Sequence, residues 1–465
     1  LTPAEIDAYN AGDLTYTTVN LNADGGSLNS TPSSLVTSGT LALPGSGPTK
    51  AGYTFAGWAE SSEGADLGGS ITPSSSPDTV YALWSATSNT VTWDSNGGSA
   101  VSDSSFTTGG TIAKPVSPTK SGKVFVGWST TDTSGDQGDI GNRIESWPYS
   151  SPATAASTLH AIWYEPCTTQ TGSFTASGNN YNSISVLSGS DCAVALPSGV
   201  SSIDTLVVGG GGGCGENVGA GGAGGGVVYK SGVDVSSADG VIVSVGSGGR
   251  AGKSAGNSTV VDAARDGGAG GSSTIDISGL NYFANGGTGG QTHWSDNICA
   301  SPGSPAVSVA TSGGTISAGS DAGGQGASGG AALATGSGQA GSSGAAGYSI
   351  NFFGSAVIYG SGGGGGSWGT AAAASGGSGA GAGAGSDGAV GSPGVANRGG
   401  GGGGGSSGCA SGGAGGSGLV AIRYLTPISI TTPTSGLAAT VDSAYSLSLS
   451  ASGAGGFSYA VTSGS

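Results

Sequence analysis

Two histidines, five cysteines and a thin scatter of acids are the first residues to weigh for acid–base, nucleophilic or metal chemistry in this chain of 465 residues. His293 stands in Gln291-Thr292-His293-Trp294-Ser295-Asp296, with Cys299 close behind. A cysteine–histidine nucleophile needs a base within hydrogen-bond reach and a third group to orient it. No such partner can be named here, so the segment reads as a protruding loop. A polar, aromatic loop on a rigid scaffold suits binding, and an indole stacks well on a sugar ring. His293, Trp294 and Trp368 are therefore the candidate ligand contacts. His160 lies in the apolar run Leu159-His160-Ala161-Ile162-Trp163 and reads as structural. Gly246-Ser247-Gly248-Gly249-Arg250-Ala251-Gly252-Lys253-Ser254 imitates a phosphate-binding loop. Its required first glycine falls on Ser247, however, and no helix-forming run follows. Asp132, Asp136 and Asp139 cluster without calcium-loop spacing and read as solvated loop acids. No catalytic residue, cofactor or metal is expected in this portion.

None of Cys167, Cys192, Cys214, Cys299 and Cys409 sits in a C-x-x-C pair, which leaves zinc-ribbon and thioredoxin readings without support. Low charge and scattered single cysteines suit a secreted protein with one or two disulfides. Cys167 and Cys192 are the candidate pair. The pairing of the other three is not legible, and five buried thiols are the alternative. The start at Leu1, with neither a basic stretch nor an apolar core behind it, reads as a mature or trimmed product.

The chain holds 101 glycines and 17 prolines, and only 8% of it is charged. Without a strict Gly-X-Y period it is not collagen, and long stretches lack the residues that build helical bundles. Its 11 basic and 27 acidic residues leave a net charge of −16, which repels nucleic acid. No apolar run approaches the roughly 20 residues that span a bilayer.

The elements are mostly strands. Thr2-Pro3-Ala4-Glu5 has the form of a capping box and predicts one helix over Pro3–Ala11, within a lead segment 1–13. An internal repeat follows, predicted as units 14–87 and 88–165. Gly25-Gly26 recurs as Gly97-Gly98, Pro48-Thr49-Lys50 as Pro118-Thr119-Lys120, and Phe55-Ala56-Gly57-Trp58 as Phe125-Val126-Gly127-Trp128, at offsets of 72, 70 and 70. The closing strands Val80–Trp84 and Leu159–Trp163 stand 79 apart, so the extra residues fall in a loop between Trp128 and Trp163. Each unit gathers a small aromatic core, such as Phe55, Trp58, Tyr81 and Trp84, around short strands. These motifs resemble the Listeria–Bacteroides (internalin B-type) repeat, which implies tandem β-grasp-like modules of a bacterial surface protein. The second copy departs from the pattern at Lys123, where an aromatic is expected.

From Gly209 to Gly418 there are 72 glycines in 210 residues, and Gly399–Gly405 is unbroken. A disordered linker is one account of such composition. Apolar strands at both ends, Ile203–Val208 and Leu419–Tyr424, and at intervals inside favour another: extended polyglycine-II rods. These turn every three residues, have no internal hydrogen bonds, and pack until their backbones bond to each other. The opening Leu206-Val207-Val208-Gly209 and the closing Gly415–Tyr424 resemble the bacterial glycine-rich domain, predicted here over 166–425. Residues 426–465, with Tyr445-Ser446-Leu447 and Phe457-Ser458-Tyr459, resemble the start of an immunoglobulin-like bacterial module, a partial β-sandwich.

The chain thus reads as mostly β and multi-domain: two β-grasp-like repeats, a β-framed polyglycine-II bundle and a partial immunoglobulin-like sandwich. Its expected role is extracellular and non-enzymatic, as a structural or adhesive cell-surface protein. It would assemble with copies of itself by β-strand addition; the alternative is a monomeric adhesin for a glycan or host protein.

Overall fold

The computed structural model describes residues 3–12, 15–132, 140–150, 157–253, 265–292, 308–310, 322–324, 340–369, 371–408, 410–426, 429–431 and 450–452. They fall into two compact units. The first comprises Leu1–Pro118, Ser129–Asp132 and Ser146–Ala161; the second comprises Thr119–Trp128, Thr133–Glu145 and Ile162–Ser465.

In the first unit, the helix Pro3–Asn10 begins on its proline and ends ahead of Gly12, whose φ is +79°. The first repeat is a four-stranded sheet in the order Ser34–Thr37, Thr17–Asn22, Asp78–Ala86, Tyr53–Ala59. Its first and last strands pair in parallel at the centre, Val19 opposite Asp78, which is the β-grasp arrangement. The Gly-Gly turn has a division of labour. Gly25 takes φ +78°, whereas a Cβ on Gly26 would stand 2.6 Å from the Trp84 ring and 2.7 Å from the Thr49 carbonyl. Val19, Leu21, Leu43, Trp58, Ile71, Val80 and Ala82 form the core, with Phe55 edge-on to Trp58 and Trp84. In the second repeat, Ser88–Asp94 pairs antiparallel with Ser104–Thr107 and in parallel with the start of Ser157–Tyr164, repeating the plan.

The second unit is built on two facing sheets. One runs in the order Thr169–Ala176, Asn179–Val186, Leu419–Leu425, Ser202–Val208, Val227–Asp234, Ala322–Gly324. The other runs Cys192–Ala195, Gly240–Ser244, Ser273–Ile277, Leu280–Ala284, Ser308–Ala310. Valines and isoleucines from both sheets, among them Ile203, Val207, Val241, Val243, Ile275 and Ile422, form the core between them. On the opposite face of the first sheet, Leu206, Val208, Val227 and Leu419 pack against Ile350, Phe352 and Tyr359 of the hairpin Tyr348–Asn351/Ala356–Tyr359. The strands Ser202–Val208 and Leu419–Leu425 are therefore covered on both faces, which is why they read as continuous apolar runs. The disulfide Cys167–Cys192 ties the entry of this unit to the second sheet. Val126 of the strand Val124–Ser129, with Ile162 and Tyr164 of Ser157–Tyr164, packs on Ala193 and Ile242.

Beyond Val208 the chain becomes a glycine rod whose hydrogen bonds repeat every third residue. The N–H groups of Gly209 and Gly212 donate to the carbonyls of Gly226 and Ala223; those of Gly210 and Gly213 to Gly271 and Gly268; those of Gly211 and Cys214 to Gly416 and Gly413. The carbonyls point to three other rods: Gly210 and Gly213 accept from Gly287 and Gly290, Gly211 and Cys214 from Gly249 and Gly252, and Gly212 and Gly215 from Gly402 and Gly405. One rod is thus bonded to six neighbours, the hexagonal packing open to a three-residue-per-turn helix. The seven-glycine run Gly399–Gly405 is a second such hub, bonded to the segments around 361–364, 381–384, 392, 413–416, 212–215 and 219–225. At Gly210–Gly213 and Gly400–Gly405 an added Cβ would lie 1.9–2.2 Å from a neighbouring carbonyl oxygen. Glycine is obligatory at these positions because neighbouring backbone occupies the space that a Cβ would take. In the C-terminal segment the described residues are the antiparallel pair Ser429–Thr431 and Ser450–Ser452.

Candidate functional site

Polar and aromatic side chains converge where the closing strand of the glycine-rich region meets the opening one. Asp204 and Arg423 are direct cross-strand partners, and alternation puts both on the face that carries the hairpin Tyr348–Tyr359. The guanidinium of Arg423 donates from Nε to Asp204 Oδ2 at 2.8 Å, from one terminal nitrogen to the carbonyls of Asn351 and Phe352 at 3.0 and 2.8 Å, and from the other to the Tyr229 hydroxyl at 2.9 Å. It also lies over the rings of Tyr181 and Phe352, 4.9 and 5.0 Å from their centroids. Burial, reinforced by the Asp204 charge and opposed by Arg423, raises the Tyr229 pKa above its ordinary value, so the hydroxyl stays protonated at neutral pH. With its donors engaged by protein acceptors, Arg423 is a clamp that fastens the hairpin to the sheet. Beside it opens a cleft of about 310 Å³ lined by Tyr181, Ser202, Asp204, Arg423, Tyr424 and Leu425, among others.

Among the described residues two further ion pairs lie buried. Arg265 Nε is 2.8 Å from Glu216 Oε1, both side chains at most 2% exposed, just past the end of the first hub. Arg143 pairs with Asp276 on the second sheet. Pairs so enclosed strongly resist removal of one partner. Cys214, in the hub rod, is a free and fully enclosed thiol bonded to Gly413, and burial pushes its pKa up to about 12. That is the environment of an inert thiol, not a nucleophile.

The candidate contacts are dispersed. Trp368 is 37% exposed, next to the rod Gly362–Gly366. His293, Trp294, Cys299 and Cys409 lie outside the described residues, as do Asp136 and Asp139. Cys167 and Cys192 are joined. His160 Nδ1 is 3.1 Å from Asp94 Oδ2 across the parallel strand pair. Trp147 packs beside Trp93 and Tyr149. Among the described residues no group of three or more His, Cys, Asp or Glu side chains is placed to hold a metal ion. None of their helices is long and apolar enough to cross a membrane.

Sequence reading did not single out Asp204, Arg423, Tyr229, Arg143 or Asp276, whose partners stand up to 219 residues apart. The only local signal was a charged residue inside an apolar strand, Arg423 in Leu419–Leu425. The hairpin Ser273–Ala284 was also missed. Its marker was Ser278-Gly279, both with positive φ, between two alternating runs.

A glycine-rich domain family matches residues 185–425, just over half of the chain. The Listeria-Bacteroides repeat domain matches residues 17–82 and 90–146. Over 83 residues, 17% of this chain and 10% of the relative, the chain is 37% identical to a protein of Evansella cellulosilytica provisionally named a Gly-rich membrane protein. A second protein of that organism, provisionally named a membrane protein, is 29% identical over 161 residues, 34% of this chain and 22% of the relative. Internalin H of Listeria monocytogenes is 34% identical over 95 residues, 20% of this chain and 17% of the relative. The chain spans less than a quarter of each relative's length.

Proposed function

Because the chain belongs to the glycine-rich domain family and carries two Listeria-Bacteroides repeats, we propose that it is a structural and adhesive segment of a bacterial cell-surface protein, a subunit of a self-assembling extracellular fibre. The observation that carries this reading is the pair of hexagonally bonded glycine hubs. A bundle held by backbone bonds on every side is stiff and chemically inert, which suits load-bearing better than catalysis. The names of the Evansella and Listeria relatives support a surface location. In this reading the chain works without catalysis, cofactor or metal, and its net charge of −16 keeps nucleic acid away. Electron microscopy of the purified chain at rising concentration tests the proposal: fibres or ordered layers are expected, and a persistently dispersed monomer contradicts it.

A second reading, a monomeric adhesin for a glycan, is favoured by the partly exposed indole of Trp368. Glycan-array binding weakened by Trp368→Ala or Trp294→Ala supports it, and unchanged binding in both variants removes those residues from consideration.

A further inference from the structure

The strand Thr169–Ala176 is the outer edge of the six-stranded sheet. Among the described residues no strand pairs with its far side, and Thr169–Ser173 and Thr175 are exposed. Edge strands are normally blunted by charge, proline, bulges or shortness. Thr169-Gln170-Thr171-Gly172-Ser173-Phe174-Thr175-Ala176 has no charge and no proline, and it pairs with Asn179–Val186 in unbroken register. The edges of the first repeat differ: Tyr53–Ala59 carries an irregularity between Phe55 and Gly57, and Ser34–Thr37 is short.

The hairpin turn decides which backbone groups face outward. Ser177 and Gly178 have φ +50° and +78°, a two-residue turn of the primed type, so Ala176 and Asn179 close it as a hydrogen-bonded pair. Hydrogen-bonded positions alternate in an antiparallel ladder. The N–H and C=O groups of Ala176, Phe174, Gly172 and Gln170 therefore point into the sheet, and those of Thr169, Thr171, Ser173 and Thr175 point away from it.

We propose that this edge pairs, antiparallel and about a two-fold axis at Gly172, with the same strand of a second copy of the chain. The proposal rests on the assembly reading above and assigns it one contact. The strand is self-complementary in this register. Thr171 faces Ser173 of the second copy and Thr169 faces Thr175, so hydroxyl side chains meet across the seam, a favourable cross-strand pairing. Gln170 faces Phe174, and no like charges oppose each other. At the axis the two Gly172 residues form a non-hydrogen-bonded pair, where Cα atoms come within about 4.5 Å. Four outward-facing residues per copy give about eight backbone hydrogen bonds. A two-fold contact closes on itself, so it yields a paired unit, to which a fibre adds a second, different contact.

The test is cross-linking of the full chain. A Cβ on Gly172 would meet only Ser183 Oγ, at 3.1 Å, so Gly172→Cys requires that one hydroxyl to give by a few tenths of an ångström. It is expected to form a disulfide-linked dimer under mild oxidation, absent from the parent chain on the same non-reducing gel. Gln170→Cys is expected to stay monomeric, because the two copies of residue 170 would lie about 13 Å apart along the strands. Thr171→Pro removes an outward N–H and no bond within the sheet. It is expected to abolish the dimer in sedimentation while leaving the unfolding midpoint unchanged. No dimer from Gly172→Cys, equal dimer from Gln170→Cys, or a dimer that survives Thr171→Pro overturns the proposal. Fibres formed by a chain whose Gly172→Cys variant stays monomeric would leave the assembly reading standing and remove this contact. A Gly172→Cys dimer without fibres would do the reverse.

Discussion

Replacing one hub glycine by alanine is the sharpest perturbation that the bundle offers. A Cβ on Gly402 would stand 2.2 Å from the carbonyl oxygen of Gly413 and 2.7 Å from that of Ala414. Ordinary contact begins near 3.4 Å, so the rod 410–418 must retreat by about 1.2 Å. That rod is held to the hub by Gly413 N–H to Gly403 and Gly416 N–H to Gly400, at 2.9 and 2.8 Å. A retreat of this size stretches both beyond bonding distance and strands buried donors and acceptors, each costing about 1–3 kcal/mol. Counted once per broken bond, the expected destabilisation is about 2–6 kcal/mol, against which the usual entropic gain of a Gly→Ala change, about 0.4–1 kcal/mol, is minor. Such a loss is a large share of a domain's total stability of about 5–15 kcal/mol. Gly268→Ala is the milder comparison. Its Cβ would stand 2.7 Å from Arg250 Cγ and 3.2 Å from the Arg250 backbone nitrogen, so that residue must shift, but no carbonyl oxygen is among its nearest contacts. Urea unfolding followed by tryptophan fluorescence should show Gly402→Ala unfolding at much lower denaturant than the parent, with Gly268→Ala between the two. Equal midpoints for all three chains would refute close packing of the rods.

Three further outcomes follow from the same geometry. Arg423→Lys keeps the charge but loses the fork that reaches Asp204, Tyr229 and two carbonyls at once; a loss of about 2–3 kcal/mol in urea unfolding is expected. Cys167→Ser opens the loop closed by Cys167 and Cys192, which are 25 residues apart; the chain-entropy account gives a loss of about 3.5 kcal/mol, read as a lower thermal midpoint. Because the thiol of Cys214 is raised from 9.0 to about 12 in the folded chain, it ionises first in the unfolded one. Its contribution is complete below pH 9 and is lost as pH rises, by about 1.4 kcal/mol per pH unit. Cys214→Ala should therefore lose less stability than the parent between pH 9 and 10.

Much of the fold was legible where physics is local. Apolar alternation marks Ser202–Val208 and Leu419–Leu425, and the spacing of Gly-Gly, Phe-x-Gly-Trp and the closing strands marks two repeats. Polyglycine-II packing was legible for a different reason: a stretch so poor in side chains has only backbone with which to build, and strands at its two ends require it to start and finish in one sheet. Rod order was not legible, because Gly209–Gly213 and Gly399–Gly405 are chemically alike at every position and their neighbours are chosen by the loops between them. Nor was the Arg423–Asp204 clamp, which depends on strands more than 200 residues apart becoming adjacent. The Arg143–Asp276 pair was hidden for the same reason: Asp276 sits in a hairpin whose turn, Ser278-Gly279, looks like any other serine-glycine in this chain.

The central claim is that the glycine-rich region is a folded hydrogen-bonded lattice, and amide hydrogen exchange tests it most directly. Amides of Gly209–Gly213 and Gly401–Gly405 should be protected to the same degree as those of Leu206–Val208 and Val420–Ile422, because all are buried and bonded. Exchange of the glycine amides at the rate of an open chain, while the flanking strands stay protected, would contradict it.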